Sequence, residues 1–236
     1  MTSDEVDVQQ AVLEWRRRTV AEYASAAKAA RLSHLLIALG ADRGLINLAL
    51  RVTRDELDHA ELSAKVAEAL GDEEAPVGVD LELLLGPEDR RPVAAAATLL
   101  LEDFCIGETL AVPLFEAMRA GATEPAAVEA LRRICRDEAV HRAFAWRALD
   151  ALLEVDPPGV HGLIDGLLPA ALGRFAATYG EVSLALQPGP RGLGAGLLPG
   201  TTWRAIFWRT LETEVLPRFA ARGWAPSPPT LPAVVG

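Results

Sequence analysis

Hydrophobic residues recur along most of the chain every three or four positions, and Gly, Pro and Asp interrupt the pattern at intervals. That spacing is typical of amphipathic α-helices, whose apolar side chains lie on one face. The pattern predicts four long helices, at residues 8–39, 45–70, 92–120 and 125–155. The third begins at Pro92, a favourable first-turn residue, and contains Pro113, where we expect a kink. Long helices with short connections favour an antiparallel bundle, and the longer connection at residues 71–86 leaves room for a crossover.

The pattern changes after residue 158, where Gly and Pro become frequent. An interrupted helical run at 160–186 is followed by a Gly/Pro-rich loop at 187–200 and a sixth helix at 201–221. The sequence thus predicts an all-α fold, a four-helix bundle with two additional C-terminal helices. We expect three parts, namely the bundle, accessory helices packed on or capping it, and an irregular Pro-rich tail, at residues 8–155, 156–222 and 223–236.

The composition agrees with a helical fold and narrows the expected partners. The 236 residues are 50% hydrophobic, and 33 Asp and Glu against 23 Lys and Arg give a formal net charge of −10. Nucleic acids and anionic membrane surfaces attract the opposite charge balance, so we expect neither as a partner. No apolar stretch is long enough to span a bilayer, no signal peptide is visible, and two cysteines cannot form a disulfide framework. These observations predict a cytoplasmic protein.

Two segments of the chain share the pattern R-D-E-x-x-H. One is Arg54-Asp55-Glu56-Leu57-Asp58-His59 in the second predicted helix, and the other is Arg136-Asp137-Glu138-Ala139-Val140-His141 in the fourth. A Glu and a His three residues apart lie one turn apart on the same face of a helix. A carboxylate and an imidazole placed in this way can bind one metal ion.

Each Glu/His pair interrupts a stripe of apolar residues that should face the core. Glu56 and His59 lie between Val52 and Val66 on such a stripe, and the pair in the fourth helix is placed in the same way. Burying an unpaired carboxylate costs on the order of several kcal/mol. Two such interruptions in one bundle require a shared compensating charge, which a pair of cations would provide.

The other two long helices each carry one carboxylate on the predicted core face. These are Glu22 in the first helix and Glu108 in the third, whereas Glu14 and Glu102 lie off those faces and are less favoured. The predicted metal ligands, in chain order, are Glu22, Glu56, His59, Glu108, Glu138 and His141.

This order of one Glu, one E-x-x-H, one Glu and one E-x-x-H resembles that of ferritin-like di-iron and di-manganese carboxylate proteins, over residues 8–155. Four strings resemble, more narrowly, those of a bacterial group of ferritin-like-domain proteins: Glu22-Tyr23-Ala24-Ser25, Asp55-Glu56-Leu57-Asp58-His59-Ala60, Cys105-Ile106-Gly107-Glu108-Thr109-Leu110 and Asp137-Glu138-Ala139-Val140-His141. Tyr23 departs from that group, in which Glu-His-Ala-Ser is usual. The resemblance implies two bound Fe ions, with Mn or a mixed Mn/Fe pair as alternatives.

The Asp before each ligand Glu has two interpretations. The resemblance implies that it accepts a hydrogen bond from the metal-bound His of the opposite motif, which pairs Asp55 with His141 and Asp137 with His59. Alternatively, each Asp pairs at the helix surface with the arginine that precedes it in its own motif.

Three kinds of function are compatible with such a site. The first is an oxidase or oxygenase that uses O2 or peroxide, and where needed an electron donor, on a small-molecule substrate. The second is iron handling by a ferroxidase, and the third is catalase-like peroxide disproportionation at a di-manganese site or a structural bundle with a residual site. The sequence favours the first, because the residues after 155 exceed what an iron-storage subunit needs and suit a pocket lid. A homo-oligomer is compatible with each, and iron storage predicts a large closed assembly.

Overall fold

All regular secondary structure in the described residues is helical, in a computed structural model that covers 2–73, 91–180 and 186–229. The first part contains α1 (Ser3–Ala38), α2 (Arg43–Ala69), α3 (Pro92–Leu99), a π-helical stretch (Leu100–Glu108), α4 (Thr109–Gly121) and α5 (Pro125–Val155). The C-terminal part contains α6 (Pro157–Phe175), a π-helical stretch (Ala176–Gly180), α7 (Pro190–Gly194), α8 (Gly200–Thr210), a π-helical stretch (Leu211–Val215) and α9 (Leu216–Ala220). None of the helices in these ranges is both long and apolar enough to cross a membrane.

The predicted all-α fold is confirmed for the described part of the chain, and the long helices begin and end close to their predicted positions. Helix α4 continues through Pro113, and the departure from α-helical geometry lies earlier, in the π-helical stretch Leu100–Glu108. A proline leaves the carbonyl group four residues before it without a helical donor. That residue is Thr109, which directly follows the π-helical stretch. Predictions for residues 74–86, 181–185 and 230–236 lie outside the described residues.

The connection between α1 and α2 is short because both helix ends are capped. Gly40 has a φ of 66° and follows the last turn of α1, where Ala41 N–H donates to the carbonyl of Leu36 at 3.0 Å. The carboxylate of Asp42 then accepts hydrogen bonds from the backbone N–H of Gly44 at 2.7 Å and of Leu45 at 3.2 Å. Gly40 ends α1 in a left-handed conformation, and Asp42 caps the start of α2. The chain therefore reverses its direction within a few residues, and α1 and α2 pack as neighbours.

The buried positions of α2 recur every three or four residues along its whole length. They include Leu45, Ala49, Val52, Glu56, His59, Ser63 and Val66, and Asp55, Ala60 and Ala67 beside them are buried as well. Helix α2 packs against α1 and α5, and α5 packs against α4 and the π-helical stretch before it. The polar pair of α2 therefore lies in the middle of a helix and inside the core, between apolar residues on either side.

The C-terminal helices share the core with the long helices. Ile164 of α6 and Phe207 of α8 belong to the same buried cluster as Phe104. Trp15 of α1 donates a hydrogen bond from Nε1 to the carbonyl of Ala195 at 2.9 Å. One apolar core is therefore continuous across residue 156, where the sequence predicts a boundary between the bundle and its accessory helices.

Candidate metal centre

The two R-D-E-x-x-H segments meet where α2 packs against α5. Glu56 and His59 of α2 and Glu138 and His141 of α5 are buried, and both histidines are 0% exposed. One ligand atom of each side chain can be chosen so that all four lie within 4.8 Å of one another. Because such ligand atoms lie about 2 Å from a bound divalent ion, this separation is small enough for metal ions to be held between the two helices.

Two further carboxylates extend this cluster to the other long helices. Oε2 of Glu22, on α1, lies 3.9 Å from Nδ1 of His59. Burial and then the carboxylate of Glu56 raise the pKa of Glu22 well above its ordinary value, and burial and then Glu138 do the same for the pKa of Glu108. Both side chains are therefore buried close to other carboxylates. The structure groups Glu56, His59, Glu138 and His141 within 4.8 Å, with Glu22 beside His59 and Glu108 in the lining of the cavity that Glu22, Glu56 and Glu138 also line.

The two less favoured carboxylates are paired with arginines instead. Glu14 accepts a hydrogen bond from Arg17 at 2.6 Å on the surface of α1. Glu102 pairs with Arg174 of α6. The face of the helix on which a glutamate lies thus determines whether it is buried, as Glu22 and Glu108 are, or pairs with an arginine, as Glu14 and Glu102 do.

Four buried polar atoms of the cluster have no hydrogen-bond partner in the described part of the chain. They are Oε2 of Glu56, Nδ1 of His59, Oε2 of Glu138 and Nδ1 of His141. Buried polar atoms are rarely left unsatisfied, because each such atom costs about 1–3 kcal/mol. Cations between the carboxylates and the imidazoles would satisfy all four atoms, so these residues fit a metal site.

Each histidine directs its other ring nitrogen at the aspartate of the opposite motif. Nε2 of His59 lies 3.4 Å from Oδ2 of Asp137, and Nε2 of His141 lies 3.5 Å from Oδ2 of Asp55. These are the crossed pairs that the resemblance to ferritin-like proteins implies. An aspartate that accepts the hydrogen on Nε2 leaves the lone pair of Nδ1 available to a metal ion.

Two arginines outside the R-D-E-x-x-H motif, Arg51 and Arg133, donate hydrogen bonds to these aspartates. Nε of Arg51 donates to Asp55 at 3.2 Å, and Arg133 donates from Nε to Asp137 and from Nη2 to Asp55, the latter at 3.2 Å. Arg136 also donates to Asp137 at 3.1 Å, so the surface pairing given as the alternative coexists there with the crossed pair. The sequence carries a signal for both missed residues, because each lies four positions before its Asp and extends the repeat to R-x-x-R-D-E-x-x-H.

The cluster holds protons tightly in the absence of metal. Burial lowers the pKa of His59, but the carboxylates of Glu138 and Glu56, at 3.4 Å and 3.7 Å from Nδ1, outweigh burial and raise the pKa to about 11. Burial is likewise outweighed at His141, where Asp55 and Glu56 raise the pKa to about 10. Burial raises the pKa of Glu56, but the two imidazoles lower it to about 2. At neutral pH the metal-free cluster therefore contains imidazolium–carboxylate pairs, and a metal ion must displace their protons.

A cavity of about 400 Å³ opens beside the cluster. Its polar lining includes four of the predicted ligands, Glu22, Glu56, Glu108 and Glu138. Its walls are mainly apolar and come from α4 and the C-terminal helices, including Leu114, Phe115, Phe175 and Phe207. Small-molecule sites usually have volumes of roughly 300–1,000 Å³ and apolar walls with a few polar groups, so this cavity suits a small organic ligand.

Comparison of the chain with family models, with curated proteins and with solved structures finds no match.

Proposed function

We propose that the protein is a ferritin-like di-metal carboxylate protein, in which two divalent cations are bound by Glu22, Glu56, His59, Glu108, Glu138 and His141. The observation that carries this proposal is the set of four buried polar atoms, two from α2 and two from α5, that converge without hydrogen-bond partners among the described residues. The nearest carboxylate oxygens, Oε1 of Glu138 and Oε1 of Glu56, lie 3.4 Å from Nδ1 of His59 and 3.2 Å from Nδ1 of His141. These ion pairs bring the four side chains together in the metal-free protein, and bound cations would take the place of their protons.

The charge of the cluster supports two ions rather than one. Four ionised glutamates balance the charge of two divalent cations. Burial and neighbouring carboxylates disfavour the ionised forms of Glu22 and Glu108, and therefore raise the pKa of both groups. Bound cations would remove this repulsion, since an opposite charge within a few ångströms favours the charged form of a carboxyl.

Iron is the metal that we propose, with manganese or a mixed Mn/Fe pair as alternatives, because carboxylate and imidazole ligands suit these ions. When bound, the pair supplies redox chemistry and open coordination positions for O2 or peroxide. The residues of the chain hold the ions, and Asp55 and Asp137 fix the orientation of the two imidazoles.

We infer that the reaction is the oxidation of a small organic molecule by O2, because an apolar cavity reaches four of the proposed ligands. An oxygenase would place one oxygen atom in a C–H bond of the substrate and release the other as water, which consumes two electrons from an external donor. An oxidase would instead take two electrons and two protons from the substrate and release hydrogen peroxide.

Metal content tests the proposed centre directly. Protein purified without added metal should contain two ions per chain by elemental analysis, and anomalous scattering at the iron and manganese edges should place both in the cluster. His141→Ala should lose one of the two ions, whereas the exposed His34, changed to Ala as a matched control, should keep both. Absence of metal from the cluster, or equal metal content in the two variants, would contradict the proposal.

Oxygen consumption then separates the functions. O2 uptake that depends on a small organic molecule supports an oxidase or oxygenase. Uptake that follows only Fe(II) oxidation and ends in mineral formation assigns iron handling instead. Release of O2 from hydrogen peroxide by the manganese-loaded protein assigns a catalase-like activity.

A further inference from the structure

Arg18 of α1 places a buried guanidinium group in the cavity beside the proposed metal centre. Its guanidinium carbon lies 4.4 Å from the ring centroid of Trp15 and 4.9 Å from that of Phe115. Aromatic rings near a guanidinium group hold it by cation–π attraction and fix its orientation. The two rings therefore position the group and leave hydrogen-bond donors at its edge.

Those donors are poorly satisfied. Nη1 is buried and has no hydrogen-bond partner among the described residues. Nη2 contacts only a weak acceptor, Sδ of Met118, at 3.4 Å. Burial lowers the pKa of Arg18, and the negative charges of Glu22 and then Glu14 offset part of this decrease. Glu14 is paired with Arg17, and Glu22 is a proposed metal ligand. A buried cationic donor without a partner is costly, so an anion from outside the chain would stabilise it.

The rest of the cavity specifies what kind of anion fits. Its walls include Leu110, Leu114, Phe115, Phe175 and Phe207, which offer contacts to an apolar body and none to a fully hydrated ion. Arginine matches a carboxylate through two parallel hydrogen bonds. An apolar molecule that ends in a carboxylate would satisfy both features of the cavity.

We propose that the cavity binds an apolar organic carboxylate, whose carboxylate group is held by the free edge of Arg18. This inference rests on the proposed function, because it assigns the substrate class of the same site. Arg18 and Glu22 are four residues apart on α1, which is about 6 Å along the helix axis. The part of the bound molecule that faces the proposed metal ligands therefore lies only a few bonds from the carboxylate group that Arg18 holds.

The test compares an acid with its uncharged amide. Phenylbutyrate and phenylbutyramide have nearly the same shape, and acetate provides a carboxylate without an apolar body. Isothermal titration calorimetry is run on wild-type protein, metal-loaded and metal-free, and on Arg18→Gln, Arg18→Lys and Arg17→Gln. Arg17 lies at the rim of the same cavity and is largely exposed, so Arg17→Gln is a control for the loss of one positive charge.

We expect metal-loaded wild-type protein to bind phenylbutyrate about 10- to 100-fold more tightly than the amide or acetate, as a charge-assisted pair implies. Arg18→Gln should lose this preference, and Arg18→Lys should keep a reduced part of it because lysine is a point charge without the planar fork. Arg17→Gln should keep it to within about twofold, since an exposed charge contributes little. Circular dichroism on each variant checks that the helices are retained.

Two outcomes would overturn the carboxylate anchor. One is equal affinity of wild-type protein for acid and amide, and the other is a preference that survives in folded Arg18→Gln. Metal content, measured on the same samples, decides the proposed metal centre separately. Protein that takes up no metal when loading is attempted, but prefers the acid through Arg18, refutes the proposed metal centre and supports the proposed role of Arg18. Protein that holds two ions but shows no preference for the acid supports the metal centre and refutes the role of Arg18.

Discussion

Replacement of Glu22 by Gln separates metal binding from folding. Glutamine has the size and shape of a protonated glutamic acid, and burial together with the carboxylate of Glu56 favours the protonated form by raising the pKa of Glu22. Metal-free Glu22→Gln should therefore be about as stable as metal-free wild-type protein. Its neutral amide is a poor ligand for a divalent cation in this carboxylate site, so the stabilisation by metal should be reduced.

The size of the effect follows from ligand linkage. An ion present at about 100 times its Kd stabilises the folded protein by about 2.7 kcal/mol. In a chain of this length, 1 kcal/mol changes Tm by about 2–4 °C, so each bound ion should raise Tm by about 5–11 °C. Glu22→Gln should lose the rise in Tm that one bound ion produces, while the Tm of its metal-free form stays within about 2 °C of the wild-type value.

Differential scanning calorimetry with added Mn²⁺, at fixed protein and metal concentrations, measures both quantities. Glu14→Gln is the matched control, because it makes the same change on the same helix at a carboxylate that is paired with Arg17. This control should show the full rise in Tm. If Mn²⁺ leaves the Tm of wild-type protein unchanged, or raises the Tm of both variants equally, Glu22 is not a ligand of a stabilising ion.

Three further changes test separate parts of the structure. Asp137→Asn should weaken metal binding about 10- to 100-fold, because it replaces the charged acceptor of His59 by a neutral amide, and unchanged affinity in a metal titration would contradict the crossed pairing. The urea midpoint of metal-free protein should fall as pH rises above 4.5, the ordinary carboxyl pKa. The pKa values of Glu22 and Glu108 are raised in the folded protein, so the protonated forms of these residues stabilise the fold. That stabilisation is lost as pH rises through the raised pKa values. A midpoint that rises over this range would show that the sign is wrong. Asp42→Ala should cost about 0.5–2 kcal/mol of stability through loss of the N-cap, with metal content unchanged.

The inward face of a single helix could be predicted from the sequence, because it is a local property of that helix. The apolar period places Glu22 on the core face of α1 and Glu14 off it, and the structure pairs Glu14 with Arg17. The repeated motif likewise places Glu56 and Glu138 on the buried faces of their helices. These inferences need only the spacing of residues along one helix.

Contacts between helices could not be predicted in this way. Arg133 bridges Asp55 and Asp137 because α2 and α5 lie at a particular separation, which neither helix encodes alone. Arg18 is held by rings from two different helices for the same reason.

The crossed histidine–aspartate pairs have a consequence for the order of events during synthesis. A nascent chain that has produced α2 but not α5 carries His59 without its acceptor Asp137, and Asp55 without His141. Neither histidine ring has its orientation fixed at that stage. The two oriented imidazoles therefore exist only after α5 has been synthesised and has packed against α2.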